Sequence, residues 1–167
     1  SGKTFRNDLD PQYKANRPTM PDELRQQIEP LKAIVQGLGV KLLSIQGVEA
    51  DDVIGTLVER TAGRRPVEVV TGDRDLFQLV DDAAGVSVLY TARGGVRDAD
   101  LVDESWLVQK YGLASGRAYA EMAVLRGDPS DGLPGVQGIG EKTAATLLEN
   151  FGSLESIVKA AKAGVKT

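Results

Sequence analysis

Cysteine and histidine are both absent from the 167 residues. The first absence excludes disulfides, thiolate nucleophiles and thiolate metal sites. The second excludes Ser-His and Cys-His couples and any His-ligated zinc. Aromatic residues make up only 5% of the chain. No apolar run approaches the ~20 residues of a membrane helix, and no signal-peptide pattern opens the sequence. The expectation is a soluble intracellular protein with no membrane partner. Chemistry near neutral pH is left to carboxylates, lysines, arginines, hydroxyls or a bound metal.

With 41% apolar residues the chain can bury a core, enough for one domain or one domain with a small appendage. Its net charge of -4 at first argues against nucleic acid, whose phosphates demand Lys and Arg. The opening 17 residues are basic, with Lys3, Arg6, Lys14 and Arg17 against Asp8 and Asp10, and Phe5 and Tyr13 interleaved. Pro21, Asp22 and Glu23 suit a helix start. Leu24, Ile28, Leu31, Val35 and Leu38 continue it to Gly39, and Pro30 should kink or divide it near Gln27. Val40 to Ile45 reads as a strand, 53–58 as a helix ending near Gly63, and Pro66 to Thr71 as a buried strand. A short helix through Leu76 and Leu79 follows, then a strand Val86 to Tyr90, hairpinned through Gly94-Gly95 to Val96.

Strands alternating with helices predict a parallel α/β sheet. From Asp103 the pattern turns helical. One helix runs from that cap to Gly112 and another over 116–126. A Gly- and Pro-rich loop fills 127–140, and helices over 141–150 and 153–163 are hinged at Gly152. The expected organisation is an α/β body of residues 1–100 and a helical region of 101–167.

Three carboxylate clusters fall at the ends of these elements. They are Glu49, Asp51 and Asp52 in VEADD, Asp73 and Asp75 in TGDRD, and Asp128 and Asp131 in RGDPSD. Taken singly, an Asp after a strand is more often a helix N-cap, and Asp beside Gly and Pro is more often a turn former. As a set, two of the clusters at consecutive βα turns point to the crevice outside the carboxyl ends of the strands. Carboxylates gathered there repel one another, and hard divalent cations with oxygen preference relieve that repulsion. Two such ions form a phosphoryl-transfer site that needs no histidine. Setting these seven aside leaves 17 acids against 20 Lys plus Arg, so the rest of the chain is net +3.

Gly138-Ile139-Gly140-Glu141-Lys142-Thr143 joins a loop to a helix. A bare GxG is a common turn, but glycines at a helix N-terminus also let backbone N–H groups face a phosphate, with Lys142 adding charge. With the helix that follows, it fits a helix-hairpin-helix that grips one backbone without reading bases. Lys14 and Arg17, three apart, would share a face if their segment were helical, and such a pair can hold a scissile phosphate. Standing alone, that segment would be an ordinary solvated loop.

Taken together, SGKTFRNDLDPQYKANRPTMPDEL, VEADDVIGTL, TGDRDLFQLV and LRGDPSDGLPGVQGIGEKTAATLL, in this order, resemble the bacterial 5′-nuclease family over nearly the whole chain. That family comprises the 5′→3′ exonuclease domain of DNA polymerase I and free-standing flap endonucleases. The resemblance implies a PIN-like parallel sheet flanked by helices, with a C-terminal helix-hairpin-helix. It further implies hydrolysis of DNA at 5′ flaps, nicks and gaps to 5′-phosphate and 3′-hydroxyl ends, in replication and repair.

By the same resemblance Glu49, Asp51, Asp52, Asp73, Asp75, Asp128 and Asp131 bind two or three Mg²⁺ or Mn²⁺ ions. Arg6, Tyr13, Lys14 and Arg17 fall in an arch segment of about residues 1–20, with Lys14 and Arg17 on the scissile phosphate. Gly138, Gly140, Lys142 and Thr143 belong to the duplex clamp, where the carbonyls of Val136 and Ile139 hold K⁺. The implied protein is a monomer of the bacterial cytoplasm, associated with the nucleoid.

Two features differ from the family. Its N-terminal strand, with a further metal-binding Asp, and another Asp just before the opening segment are not present, so the sequence reads as part of a longer protein. Gly132 stands where relatives have Asn, which loosens the loop but removes no ligand. The alternatives are a DNA-binding fragment without catalysis and a PIN-type RNase. The second is disfavoured by the helix-hairpin-helix and by the few aromatics, since single-stranded RNA binders stack bases on aromatic rings.

Overall fold

The computed structural model describes residues 3–164, which fall into two compact units. One is built from the stretch up to Ala50 together with Ser130–Gly132, the other from Asp51–Pro129 and the stretch from Leu133 onward.

The second unit holds the sheet. Strand β1 (Val67–Thr71) pairs in parallel with β2 (Val86–Tyr90), and β2 pairs antiparallel with β3 (Asp100–Val102), in the order β1-β2-β3. The architecture is mixed α/β, a three-stranded sheet flanked by helices. The parallel pair is as expected, and the strand that follows β2 is antiparallel, as a hairpin requires, but it lies at 100–102 rather than at Val96. Val96 is 72% exposed, so burial gives it no reason to join the ladder. Asp103 caps helix α4 (Glu104–Tyr111) by accepting the Trp106 N–H at 2.7 Å, and Gly112 ends it in the left-handed region at φ 73°.

Ser115 caps α5 (Gly116–Arg126) in the same way, and Ser153 caps α7 (Leu154–Lys162). Between these two helices lies α6 (Glu141–Phe151). Helix α3 (Ala50–Thr61) contributes Val58 to the core, and a 3-10 turn over Arg74–Leu79 contributes Leu76 and Phe77. Tyr119, Met122 and Leu125 recur at helical spacing along α5 and join Val88, Val102 and Leu107 in one interior. Helix α5 packs on the 3-10 turn and on α6, which in turn carries α7.

The first unit is helical and turn-rich. Thr4 starts helix α1 (Phe5–Leu9), its N–H donating to Asn7 Oδ1 at 2.9 Å. Helix α2 (Asp22–Gly37) runs unbroken through Pro30, against the expected division. Pro30 deletes a single helical hydrogen bond, and both it and Gln26, whose carbonyl would have received that bond, are exposed to water. Val40–Ile45 is not a strand. An extended segment needs a neighbour to take up its backbone groups, and among the described residues this unit contains no other strand.

Candidate functional site

In the first unit the basic segment folds onto two of the predicted carboxylates. Residues 11–16 form successive turns rather than a helix, and Lys14 takes a left-handed backbone at φ 58°. For a residue other than Gly, Asn or Asp that conformation is uncommon and costs free energy, so the surroundings must hold it. They do. The Lys14 N–H donates to the Asp131 carbonyl at 3.0 Å. Its Nζ donates to both oxygens of Glu49, at 2.8 and 2.7 Å, and lies 3.7 Å from Asp131 Oδ2. Tyr13 is 8% exposed and donates its hydroxyl to Glu49 Oε2 at 3.1 Å, with Lys14 Nζ 4.8 Å from its ring centre. Arg17 pairs with Asp131, which is itself 8% exposed.

Lys14 and Arg17 therefore do reach one place, through a turn instead of a shared helix face. Gly132 has φ 81°, and a side chain there would begin 2.9 Å from the Gln12 carbonyl oxygen. Its backbone region is one that Asn also tolerates, so Gly at this position keeps the turn beside Asp131.

Burial works against a charge on Glu49, but the hydrogen bonds from Lys14 and Tyr13 outweigh it and hold the carboxyl below its ordinary value. The charges of Lys14 and Arg6 act in the same direction. A carboxyl lowered in the folded state adds stability at pH values above its unfolded value, and that stability drains away as pH falls through the folded one. Glu49→Gln is therefore expected to be less stable than the parent at neutral pH. The two should converge as thermal melts are taken from pH 7 down toward pH 3. Parallel curves over that range would remove Glu49 from the acid dependence.

The second unit holds the rest of the predicted acids. Asp51 and Asp52 lie in the first turn of α3, where the helix dipole favours negative charge. Asp73 caps the 3-10 turn by accepting the Asp75 N–H at 2.9 Å, the capping role expected of a single Asp after a strand. Asp128 exchanges two backbone hydrogen bonds with Leu133, at 2.7 and 2.8 Å, which pinch the loop closed.

Asp75 is the electrostatically loaded member. Burial pushes its carboxyl up, and the charges of Asp73 and Asp128 push it further. Arg126 opposes them, with Nη2 3.9 Å from Asp75, and also holds Glu141 at 3.2 Å. Arg74 reaches Glu141 as well, at 3.6 Å. Sequence reasoning missed Arg126. The available signal was its place at the end of α5, two residues before Asp128.

Among the described residues, no group of three or more carboxylates is gathered tightly enough to hold a metal ion. In the hairpin, Gly138 takes φ 81° and Gly140 caps α6 through its backbone, with Lys142 and Thr143 exposed in the first turn. The Val136 carbonyl accepts the Ile139 N–H at 3.0 Å. No described helix is long and apolar enough to cross a membrane.

Residues 1–112 match the 5′-3′ exonuclease N-terminal resolvase-like domain, and residues 114–167 match the 5′-3′ exonuclease C-terminal SAM fold. A 5′-3′ exonuclease of Streptomyces coelicolor is 52% identical over 164 residues, covering 92% of this chain and 53% of the relative. A DNA polymerase I of Mycobacterium bovis is 49% identical over 160 residues, covering 95% of this chain and 17% of the relative. The chain thus spans about half the length of the free-standing relative. Among solved structures, the T5 D15 protein co-crystallised with metal ions superposes with a TM-score of 0.78 at 25% identity, over 95% of this chain and 62% of that one.

Proposed function

The chain belongs to the 5′-3′ exonuclease family, and from that premise we propose that it is a structure-specific 5′ nuclease dependent on a divalent metal. Its substrates are DNA with 5′ flaps, nicks or gaps, cut to 5′-phosphate and 3′-hydroxyl ends in replication and repair. The observation that carries this reading is the match of both halves of the chain to the 5′-3′ exonuclease domains, joined by the crowding of Asp73 and Asp128 around Asp75 with Arg126 Nη2 3.9 Å away. A carboxyl raised by burial and by two neighbouring acids is a group whose charge wants a cation.

The donor set is all oxygen, which suits Mg²⁺ or Mn²⁺. The proposed ligands of two or three ions are Glu49, Asp51, Asp52, Asp73, Asp75, Asp128 and Asp131. When bound, such ions supply Lewis-acid stabilisation of the charge on the phosphoryl group. In this reading Lys14 and Arg17, now spent on Glu49 and Asp131, contribute their charge to the scissile phosphate. Arg6 and Tyr13 line the same basic segment. Residues 101–167 form the duplex clamp on a nuclease body of residues 1–100, and the carbonyls of Val136 and Ile139 take K⁺. The proposed setting is a monomer in the bacterial cytoplasm, working on nucleoid DNA.

The test is a 5′-flap DNA labelled at its 5′ end, incubated with the protein and Mn²⁺ beside an EDTA control. Release of a short labelled product only with metal supports the reading. Binding without release would replace it with that of a DNA-binding module. Lys142→Ala tests the clamp. It should weaken duplex binding and reduce the salt slope by about 0.9, the value of one B-DNA phosphate contact. An unchanged slope takes Lys142 out of the interface.

A further inference from the structure

Beyond the carboxylates, the second unit carries a pocket at the end of the sheet where β2 stops. Its cations are Arg74, Arg93 and Lys110, and Asp100 is the one acid among the described residues that line it. Three cations against one carboxylate leave the mouth at net +2. Arg74 shares Glu141 with Arg126, so one carboxylate serves two guanidinium groups. Trp106 and Tyr111 form the aromatic wall, edge to face with centroids 5.9 Å apart, and Lys110 Nζ lies 5.9 Å from the Trp106 ring centre. The cavity measures about 70 Å³, a fraction of the ~300–1,000 Å³ that encloses a whole drug-sized ligand. It has room for one anionic group, with a flat neighbour resting against the wall.

We infer that this pocket holds a backbone phosphate of a single-stranded arm of DNA, with the adjoining base on Trp106 and Tyr111. The inference rests on the nuclease reading above and extends it, because Arg74 stands between Asp73 and Asp75 in the chain. Arg74 thereby ties the pocket to the turn that carries those acids. The aromatic wall selects the single strand. A duplex offers phosphates to cations but keeps its base faces stacked away, whereas single-strand grooves combine cations with rings on which bases stack.

The experiment is fluorescence anisotropy on the whole chain in EDTA, so that nothing is cut, with salt varied from about 50 to 200 mM. The probes are a labelled 5′-flap DNA and the same nicked duplex without a flap. Arg93→Ala combined with Lys110→Ala should weaken flap binding and lower its salt slope by about 0.7 to 1.4, one to two single-strand phosphate contacts, and leave the nicked duplex unchanged. Arg93→Lys combined with Lys110→Arg keeps the charge and should keep the slope. Equal losses on both probes, an unchanged slope on the flap, or a charge-preserving pair as weak as the alanine pair each overturn the assignment. If the parent protein binds the flap here and cuts it in the Mn²⁺ assay above, while the alanine pair matches its binding, the pocket fails and the nuclease reading stands. If the parent binds neither probe here and releases no product in the Mn²⁺ assay, both fall.

Discussion

Asp75→Asn is expected to slow metal-dependent cleavage by at least about 10²-fold while raising the melting temperature of the metal-free protein. The two effects have one cause. Burial raises the Asp75 carboxyl, and the charges on Asp73 and Asp128 raise it further. A carboxyl raised in the folded state binds more protons there than in the unfolded chain. Stability therefore falls as pH rises through the window above the ordinary carboxylate value, and at neutral pH the fold carries the cost of the charge. Asparagine keeps the shape and removes that cost. Each ~1 kcal/mol recovered raises the melting point by about 2–4 °C in a protein of this size.

Asparagine also removes an anionic oxygen from the proposed metal ligands. An interaction worth ~3 kcal/mol in the transition state corresponds to about 10²-fold in rate. Flap cleavage in Mn²⁺ and differential scanning calorimetry with and without metal read both halves. Added Mg²⁺ should stabilise the parent more than the variant. A full cleavage rate would take Asp75 out of the metal site. A lowered melting point would mean that its pairing with Arg126 at 3.9 Å outweighs the crowding.

What the sequence made legible is what is decided locally. Asp103 sits at a helix start and Gly112 and Gly152 at helix ends, and each cap lies within five residues of the backbone group it serves. The segments that misled are those decided at a distance. Val40–Ile45 has the apolar run of a strand, but a strand exists only where another accepts its hydrogen bonds. Paired glycines at 94–95 suggest a tight hairpin to Val96, while β2 takes its partner at Asp100–Val102.

The candidate site divides in the same way. Its carboxylates were legible as motifs, since each cluster is a short run beside Gly or Pro. Their partners were not. Lys14 meets Glu49 across 35 positions, and Arg17 meets Asp131 across 114. Nothing in the local pattern of DPQYKANR says that Lys14 takes a left-handed backbone to make those contacts. Arg126 escaped notice because it completes an ordinary helix, and only the fold sets it beside Asp75.

Gly127→Ala should cost about 3 kcal/mol or more and lower the melting temperature by roughly 6–12 °C. Gly127 closes α5 with φ 74° and ψ -179°, a backbone region that is essentially restricted to glycine and costs other residues ~1–3 kcal/mol. A methyl group there would also begin 2.6 Å from the Leu133 carbonyl oxygen and 2.7 Å from the Gly135 Cα. Those are backbone atoms, so no rotamer change relieves the contact, and overpacking of this kind typically adds ~1–3 kcal/mol. Relief must come from opening the loop that the Asp128–Leu133 bonds hold shut. The next residue along is Asp128, so cleavage should fall even at temperatures where the variant remains folded. Gly37→Ala supplies the comparison. Gly37 ends α2 without a positive φ, and a methyl group there would meet nothing within 4 Å, so alanine should stabilise by about 0.5–1 kcal/mol through helix propensity. If both alanines behave alike, the cost at Gly127 is not conformational. If Gly127→Ala melts early yet cuts at the parent's rate when folded, then Asp128 keeps its place without the turn and the loop serves the fold alone.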